Sequence, residues 1–536
     1  MSGTGADGLV AALEQAGVQV VFGLPGVHNL AAWEALRTSP IRLVGVRHEQ
    51  AAAYAADGYA RATGRVGVAL VTTGPGAANT LGAVGEAWAS RSPVVVIATD
   101  IPTGLRREGV HRGALHEVPD QAGLFAPVTK ETLRAGDVGS VVSKAVAAAS
   151  AAPSRPVYVE IPTDLLSASS EGGQVFPCHT DNRSAAKKDL TPAVEALAGA
   201  QRPLVWAGGG ARDAGDAVAA LAEKLGAPIF TTYSARGVAG DHPLAVGLPP
   251  HLPATGALWD QADAVVAVGS DLDGMSTQNW LHPAPPALVA INVDAADASK
   301  NYRPDVVIEA DASLAAELAG RLEGHDPWVD LDGLRRAALA ELRRDFPAEL
   351  RFLDAVAAAL PAEAVVFADM CIPGYWLAGF HRVPAPRRLA YPMGWGTLGF
   401  AFPASLGAAA AWPGPVVSFS GDGGFLFACG ELATAAQKEL PLTAVIVDDG
   451  GYGMLRFDQD AAGRERHGVD LRTPDFEALA RSFGLEAETV DGLDEAFEQA
   501  LARHAADPQP SVLVAKAALQ PPPTTSPRWY RKRATA

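Results

Sequence analysis

The 536-residue chain has only three cysteines, Cys178, Cys371 and Cys429, set far apart with no CxxC pair. That excludes a disulfide framework and a thiolate zinc site. Positive charge is in deficit. Lys and Arg number 43 against 60 Asp and Glu, a net charge of −17. A surface of that sign suits neither nucleic acid nor an anionic membrane, so neither is expected as a partner. Long apolar runs are missing too. "ASLGAAAAW" falls well short of the roughly 18 residues a membrane helix needs. The start, MSGTGADGLVAALEQAG, has no basic stretch before an apolar one and does not read as a signal peptide. Hydrophobic residues reach 48%, which excludes a disordered chain. The length suits about three domains. A soluble, cytoplasmic, multidomain protein is expected.

Apolar strands alternate with helical segments along the whole chain. "VQVVFGL" (18–24), "IRLVGV" (41–46), "VGVALVT" (66–72), "PVVVIA" (93–98) and "RPVYVEIP" (155–162) read as buried strands. Segments 49–64 and 76–90 between them are Ala-rich and read as helices. Such alternation predicts a parallel sheet covered on both faces. A polar linker is placed at "SASSEGGQ" (167–174) and a second near "EGHDPWVD" (323–330). The pattern restarts at "RPLVWAGGG", "APIFTTY", "DAVVAVGS" and "ALVAINVD". It starts a third time at "AVVFAD", "PVVSFSGDG", "LTAVIVDD" and "SVLVAK". The expected fold class is therefore α/β, with three doubly wound parallel-sheet domains. Their bounds are 1–170, 189–325 and 346–518, and 519–536 is a Pro-rich basic tail, either solvated or laid over a neighbouring domain.

Chemistry concentrates at strand ends. "SFSGDGGF" sets Gly421, Asp422, Gly423 and Gly424 between a strand and a helix, where bare backbone amides approach a phosphate. Asp422 offers a hard oxygen to magnesium. Asp449 closes the next strand, and the two converge if those strands are neighbours. Alone, such a turn is as well explained by tight geometry. In the first unit, Leu24-Pro25-Gly26, Glu49 and Gly74-Pro75-Gly76 with Asn79 also stand at strand ends. A lone Glu at a helix start is ordinarily a carboxylate favoured by the dipole.

Taken together, "FGLPG", "RHEQAAAYAADGYARATG", "TGPGAAN", "GTLGFAFPASLGA" and "GDGGF…DDGGYGM" resemble one family, in its order and over essentially the whole chain. It is the thiamine-diphosphate enzymes of the acetolactate synthase, benzaldehyde lyase and 2-keto acid decarboxylase type. The resemblance implies pyrimidine-binding, central and diphosphate-binding domains. It also implies a homodimer or homotetramer with the active site at the subunit interface. Glu49 would hydrogen-bond N1′ of the aminopyrimidine, so that the 4′ nitrogen can take the proton from thiazolium C2. Pro25, Thr72, Gly396 and Leu398 would line the thiamine. Gly421, Gly423, Gly424 and Tyr452 would surround the diphosphate, and Asp422, Asp449 and the Gly451 carbonyl would hold Mg2+. Asp449 departs from the family's usual Asn, and the added carboxylate predicts cofactor binding that depends steeply on magnesium.

The resemblance also implies the reaction: decarboxylation of a 2-keto acid, by default pyruvate, and ligation of the acyl unit to a carbonyl acceptor. A non-ligating decarboxylase or an acyloin or diketone lyase is the alternative. A flavin oxidoreductase or a non-catalytic thiamine-binding subunit is the rival of another class. His28 and His116 are expected to move protons, since imidazole titrates near neutrality. Val27 would crowd the thiazolium. "GSDLDGMSTQNW" lacks the family's arginines for a second keto acid, and "GMLRFD" lacks its Gln-Trp pair, with Arg456 a substitute cation. Pro373-Gly374 stand where acetolactate synthases carry His-Gln. Gly394, Gly396 and Gly399 mimic a dinucleotide fingerprint but no strand is read into them. "WAGGGARDAG" reads first as a helix-capping turn and second as an FAD site.

Overall fold

Strands buried on both faces carry near-continuous apolar runs, and those runs place the sheets here. The computed structural model describes residues 3–107, 109–170 and 188–523. In its first sheet lie β1 (Val20–Gly23), β2 (Arg42–Gly45), β3 (Gly67–Val71), β4 (Val94–Asp100), β5 (Glu131–Arg134) and β6 (Val157–Pro162), in the order β2-β1-β3-β4-β6-β5. The second holds β7 (Pro203–Ala207), β8 (Ile229–Thr231), β9 (Ala264–Val268), β10 (Leu288–Asn292) and β11 (Val306–Glu309), in the order β8-β7-β9-β10-β11. The third holds β12 (Val365–Ala368), β13 (Leu389–Ala390), β14 (Val416–Gly421), β15 (Thr443–Asp448), β16 (Glu486–Asp491) and β17 (Ser511–Lys516), in the order β13-β12-β14-β15-β17-β16. Neighbours within each of the three sheets pair in parallel.

The strands not anticipated, β5, β11, β13 and β16, all lie at sheet edges. An edge strand keeps one side in water and needs no apolar run, as "ETLR" and "EAETVD" show. Segment 76–90 is two helices rather than one, Pro75–Ala78 and Leu81–Ala89. The break at Asn79–Thr80 frees the Asn79 side chain to reach across to Glu49, 2.9 Å away. Residues 323–330 carry no helix or strand. At the first linker, Ser169–Ser170 pair antiparallel with Gly3–Thr4. Its remainder, Cys178 and the tail beyond residue 523 lie outside the described residues. The described start of the tail is packed: Trp376 Nε1 donates to the Gln520 carbonyl and Gln520 N to Glu349, both at 2.7 Å. Among the described residues no helix is long and apolar enough to cross a membrane.

Two helices join the first and third sheets into one core. They are α1 (Glu49–Thr63) and α2 (Ala401–Ala409), both buried almost all round. Small residues let them touch backbone to backbone. A Cβ at Gly58 would sit 1.9 Å from the Ala404 carbonyl, and one at Gly407 1.8 Å from that of Ala55. The shared core includes Phe22, Tyr54, Phe367 and Phe400. Arg61 of α1 pairs with Asp57 at 2.7 Å and Glu86 at 2.9 Å, and donates to the Tyr391 carbonyl at 3.0 Å. Burial leaves that cation stable only because all three acceptors face it.

Gly58→Ala is expected to force α1 and α2 apart and to destabilise the protein by about 2–3 kcal/mol. Thermal and urea unfolding would register this as a lowered midpoint. An unchanged midpoint would mean that the contact is slack.

Candidate active site

The carboxyl ends of parallel strands gather ligands because crossover loops leave a crevice there. At the end of β1, Asn29 builds the Leu24-Pro25-Gly26 turn. It accepts from Gly26 N at 2.8 Å and donates to the Leu24 carbonyl at 3.0 Å. After β2, the Arg47 and His48 amides both donate to buried Glu431 at 2.9 Å. This ties the loop before Glu49 to the third unit. Glu49 is the first residue of α1 and only 9% exposed. Asn79 donates to its Oε2, and a Cβ at Gly76 would lie 3.4 Å from its Oε1.

After β3, Thr72 is buried and its hydroxyl has no partner. A Cβ on Gly26 or Gly76 would overlap it, at 2.6 and 2.7 Å from its side chain. Only glycine lets the backbone close this tightly on Thr72, which sets an unsatisfied hydroxyl beside the Glu49 carboxylate.

His28 and His116 meet at this rim, ring centroids 5.4 Å apart and edge to face. His28 Nδ1 lies 2.8 Å from Thr73 Oγ1, which donates to Thr99 Oγ1 at 2.9 Å. That contact engages Nδ1 and leaves Nε2 as the ring nitrogen outside it. Burial, and then the neighbouring His116, hold His28 below the usual imidazole value. His116 has φ 66°, and its buried Nδ1 has no partner. Val27, expected to crowd a thiazolium, is 61% exposed in the single chain.

The third sheet builds the second half. β14 and β15 are neighbours, and Gly421 pairs with Val447, so Asp422 and Asp449 leave adjacent strand ends. Asp422 accepts from Gly423 N at 2.7 Å through Oδ1, while its Oδ2 is buried with no partner. Burial first, and then the charges of Asp449 and Asp448, push its carboxyl well above the usual range. Gly450, with φ 80°, turns the chain so that Gly451 and Tyr452 run beside Val469–Leu471. A Cβ on Gly423 would lie 2.6 Å from the Tyr452 ring. Gly396 and Gly399, both at φ 75°, bracket Thr397 and Leu398.

Two further acids of the third unit, Asp369 and Glu431, had not been singled out. Asp369, after β12, accepts from Gly399 N at 3.0 Å and Phe400 N at 3.3 Å. It pins the loop carrying Leu398, and burial pushes its carboxyl up to about 6. Its signal was visible: an acid closing the apolar run "AVVFAD", just as Asp422 closes "VVSFSGD". Glu431 carried no such signal, because its partners are distant backbone amides. Arg456, read as a substitute cation, is bonded to Asp449.

The residues present fit a diphosphate–magnesium group. Among the described residues no set of three or more His, Cys, Asp or Glu side chains forms a metal cage. Magnesium commonly uses one or two carboxylates with phosphate oxygens, and the unpartnered Asp422 oxygen suits that role. Among the described residues no hydrogen bond or ion pair joins Glu49, His28 or His116 directly to Asp422 or Asp449.

In the second sheet, Gly208–Gly210 lead into a short 3-10 helix after β7. Gly209 and Gly210 line a crevice of about 630 Å³ with Arg91, Arg212, Asp271 and Asn292. Arg91 pairs there with Asp271 at 2.8 Å, linking the first and second units. Gly394 follows the two-residue strand β13 rather than a long strand.

Comparison with known proteins agrees with this geometry. Family models for thiamine pyrophosphate enzymes match three stretches: the N-terminal TPP binding domain over residues 3–124, the central domain over 190–318 and the C-terminal TPP binding domain over 370–515. A Pseudomonas aeruginosa protein described as "Probable 2-ketoarginine decarboxylase AruI" is 36% identical, covering 92% of this chain and 90% of its own. The Escherichia coli K12 acetolactate synthase isozyme 3 large subunit is 33% identical, covering 92% of each chain. A Methanocaldococcus jannaschii protein described as "Probable acetolactate synthase large subunit" is 31% identical, covering 92% and 89%. The chain belongs to the thiamine pyrophosphate enzyme family.

Proposed function

We propose that this protein is a thiamine-diphosphate- and magnesium-dependent lyase or transferase. It decarboxylates a 2-keto acid, by default pyruvate, and ligates the acyl unit to a carbonyl acceptor. The observation that carries the reading is Glu49: a carboxylate buried at a helix start, steadied by Asn79 and packed against Gly76 near the unsatisfied Thr72 hydroxyl. Thiamine diphosphate, when bound, supplies the carbon nucleophile and the electron sink for loss of carbon dioxide.

The chain's own residues do the rest. Glu49 holds a proton at N1′ of the aminopyrimidine. Thr72 and the Pro25-Gly26 turn would line the ring, and Leu398 on its pinned loop would support the bound cofactor. Asp422, Asp449 and the Gly451 carbonyl hold magnesium against the diphosphate. His28, with Nε2 free, takes or returns a proton at the substrate oxygen, and His116 faces it across the rim. Leu30 and Leu115 near the first half, and Trp395, Phe427 and Leu455 near the second, are large apolar side chains left exposed in one chain. Their exposure supports a homodimer or homotetramer in which each half-site meets the other half on a second copy.

A non-ligating decarboxylase is the second reading. It is favoured by the 2-ketoarginine decarboxylase named above and by the missing arginines in 270–280.

Proton NMR of products from pyruvate, with thiamine diphosphate and magnesium, with and without an aldehyde, tests the reading. A ligated 2-hydroxy ketone or acetolactate is expected. Free aldehyde alone would replace it with the decarboxylase reading, and the guanidino 2-keto acid is the donor to try next. Glu49→Gln is expected to lower kcat by about 10²- to 10⁴-fold while thiamine diphosphate still binds. Full turnover would overturn the assignment. Because His28 sits below the usual imidazole value, it stays neutral to more acid pH. The acid limb of kcat/KM is therefore expected below the ordinary imidazole range, and His116→Gln is expected to move it upward.

A further inference from the structure

The strand-end carboxylates of the third sheet differ in one respect: which of them has a cation of its own. Asp448 is paired with Lys516. Asp449 is paired with Arg456, both side chains mostly buried. Asp422 has none among its hydrogen-bond partners, and its Oδ2 is unsatisfied.

Arg456 sits on α3 (Gly453–Ala461), one helical turn past the Tyr452 carbonyl that accepts its own N–H at 3.0 Å. Its Nη2 bonds the Asp449 carboxylate at Oδ1 and the Asp449 carbonyl, the latter at 3.0 Å. Its Nη1 lies 3.6 Å from Asp470, the residue that bridges to Gly451. One guanidinium thus holds the side chain and backbone of Asp449 and faces the segment packed against it. The other carboxylate oxygen, Oδ2, packs over Gly453, where a Cβ would approach it to 2.4 Å.

We infer that Arg456 is a positioning residue that makes Asp449 act as a carboxamide would: it cancels the charge, occupies one oxygen and leaves the other as a single ligand. This rests on the diphosphate–magnesium reading of the site. A carboxylate left unpaired here would repel a diphosphate, since buried like charges disfavour one another strongly. With Arg456 in place, the pocket presents one uncompensated carboxylate, Asp422, to the metal. The steep magnesium dependence expected from Asp449 alone is then absent, because its charge is already balanced within the protein.

The test is a double-mutant cycle on the full-length protein, read by binding rather than turnover. Thiamine diphosphate binding is measured by calorimetry without metal and with Mg2+, and Mn2+ binding by electron paramagnetic resonance. Arg456→Met is expected to weaken metal-free thiamine diphosphate binding about tenfold and to tighten Mn2+. Asp449→Asn in the same chain is expected to reverse both changes. Equal losses from Arg456→Met with Asp or Asn at 449 would overturn the inference, because a merely structural arginine is not rescued by removing a charge. So would unchanged binding.

If Arg456→Met does not fold, Asp449→Asn alone decides. It leaves Arg456 unpaired and is expected to tighten metal-free thiamine diphosphate about tenfold, and an unchanged affinity would refute the pairing. Wild-type protein that binds neither thiamine diphosphate nor Mn2+ would instead remove the site reading itself, and this inference with it.

Discussion

The backbone contact between α1 and α2 is the constraint on which the placing of the two half-sites depends. Gly58 meets Ala404 and Gly407 meets Ala55 at distances no side chain allows. Each helix carries part of the site at its N-terminal end. α1 begins with Glu49, and α2 follows the loop of Gly396 and Leu398. Holding the helices together therefore fixes a loop of the first sheet relative to a loop of the third. Glu431 repeats the constraint a turn away, since it accepts the amides of Arg47 and His48. Losing it would leave two amides short of a partner, at about 1–3 kcal/mol each.

Electrostatics then divides the labour among buried acids. Asp57 and Glu86 share Arg61, Asp448 has Lys516, and Asp449 has Arg456. Asp369 has backbone amides. Each of these is held by a cation or by backbone amides, although Glu86 Oε2 itself has no partner. Asp422 is left with an open oxygen, and Glu49 with one side-chain donor. Buried groups that the fold does not satisfy are the ones free to serve a ligand. The same contrast separates Thr73, bonded to Thr99, from Thr72, whose hydroxyl is open.

Central strands were legible because burial on both faces demands apolar residues throughout. β5, β11, β13 and β16 were not, because an edge strand keeps one side in water. Glu49, Asp422 and Asp449 were legible because each closes an apolar run or opens a helix, and glycines mark the turns beside them. Asp369 closes a run in the same way and was passed over for want of a glycine turn. Asn79 was read as part of a turn, but its hold on Glu49 needed the break in the helix around it. Arg456 was legible as an unusual cation, and its partner was not.

The sequence alone determined the α/β class, the repeated parallel units, the strand-end position of the acids and the family. Each rests on local pattern: the periodicity of burial, glycine where backbone must turn, and residue type at a short spacing. Tertiary structure alone decided which acids are neutralised. It also decided that Asp449 is answered by Arg456, that Asp369 and Glu431 accept the amides of distant loops, and that His28 faces His116. Those are pairings between loops of different strands, set by sheet order and by how closely two helices approach, and the physical reason is distance. A charge is stabilised by whatever lies within a few ångströms of it, and the chain's order does not state what that will be until the sheets have packed.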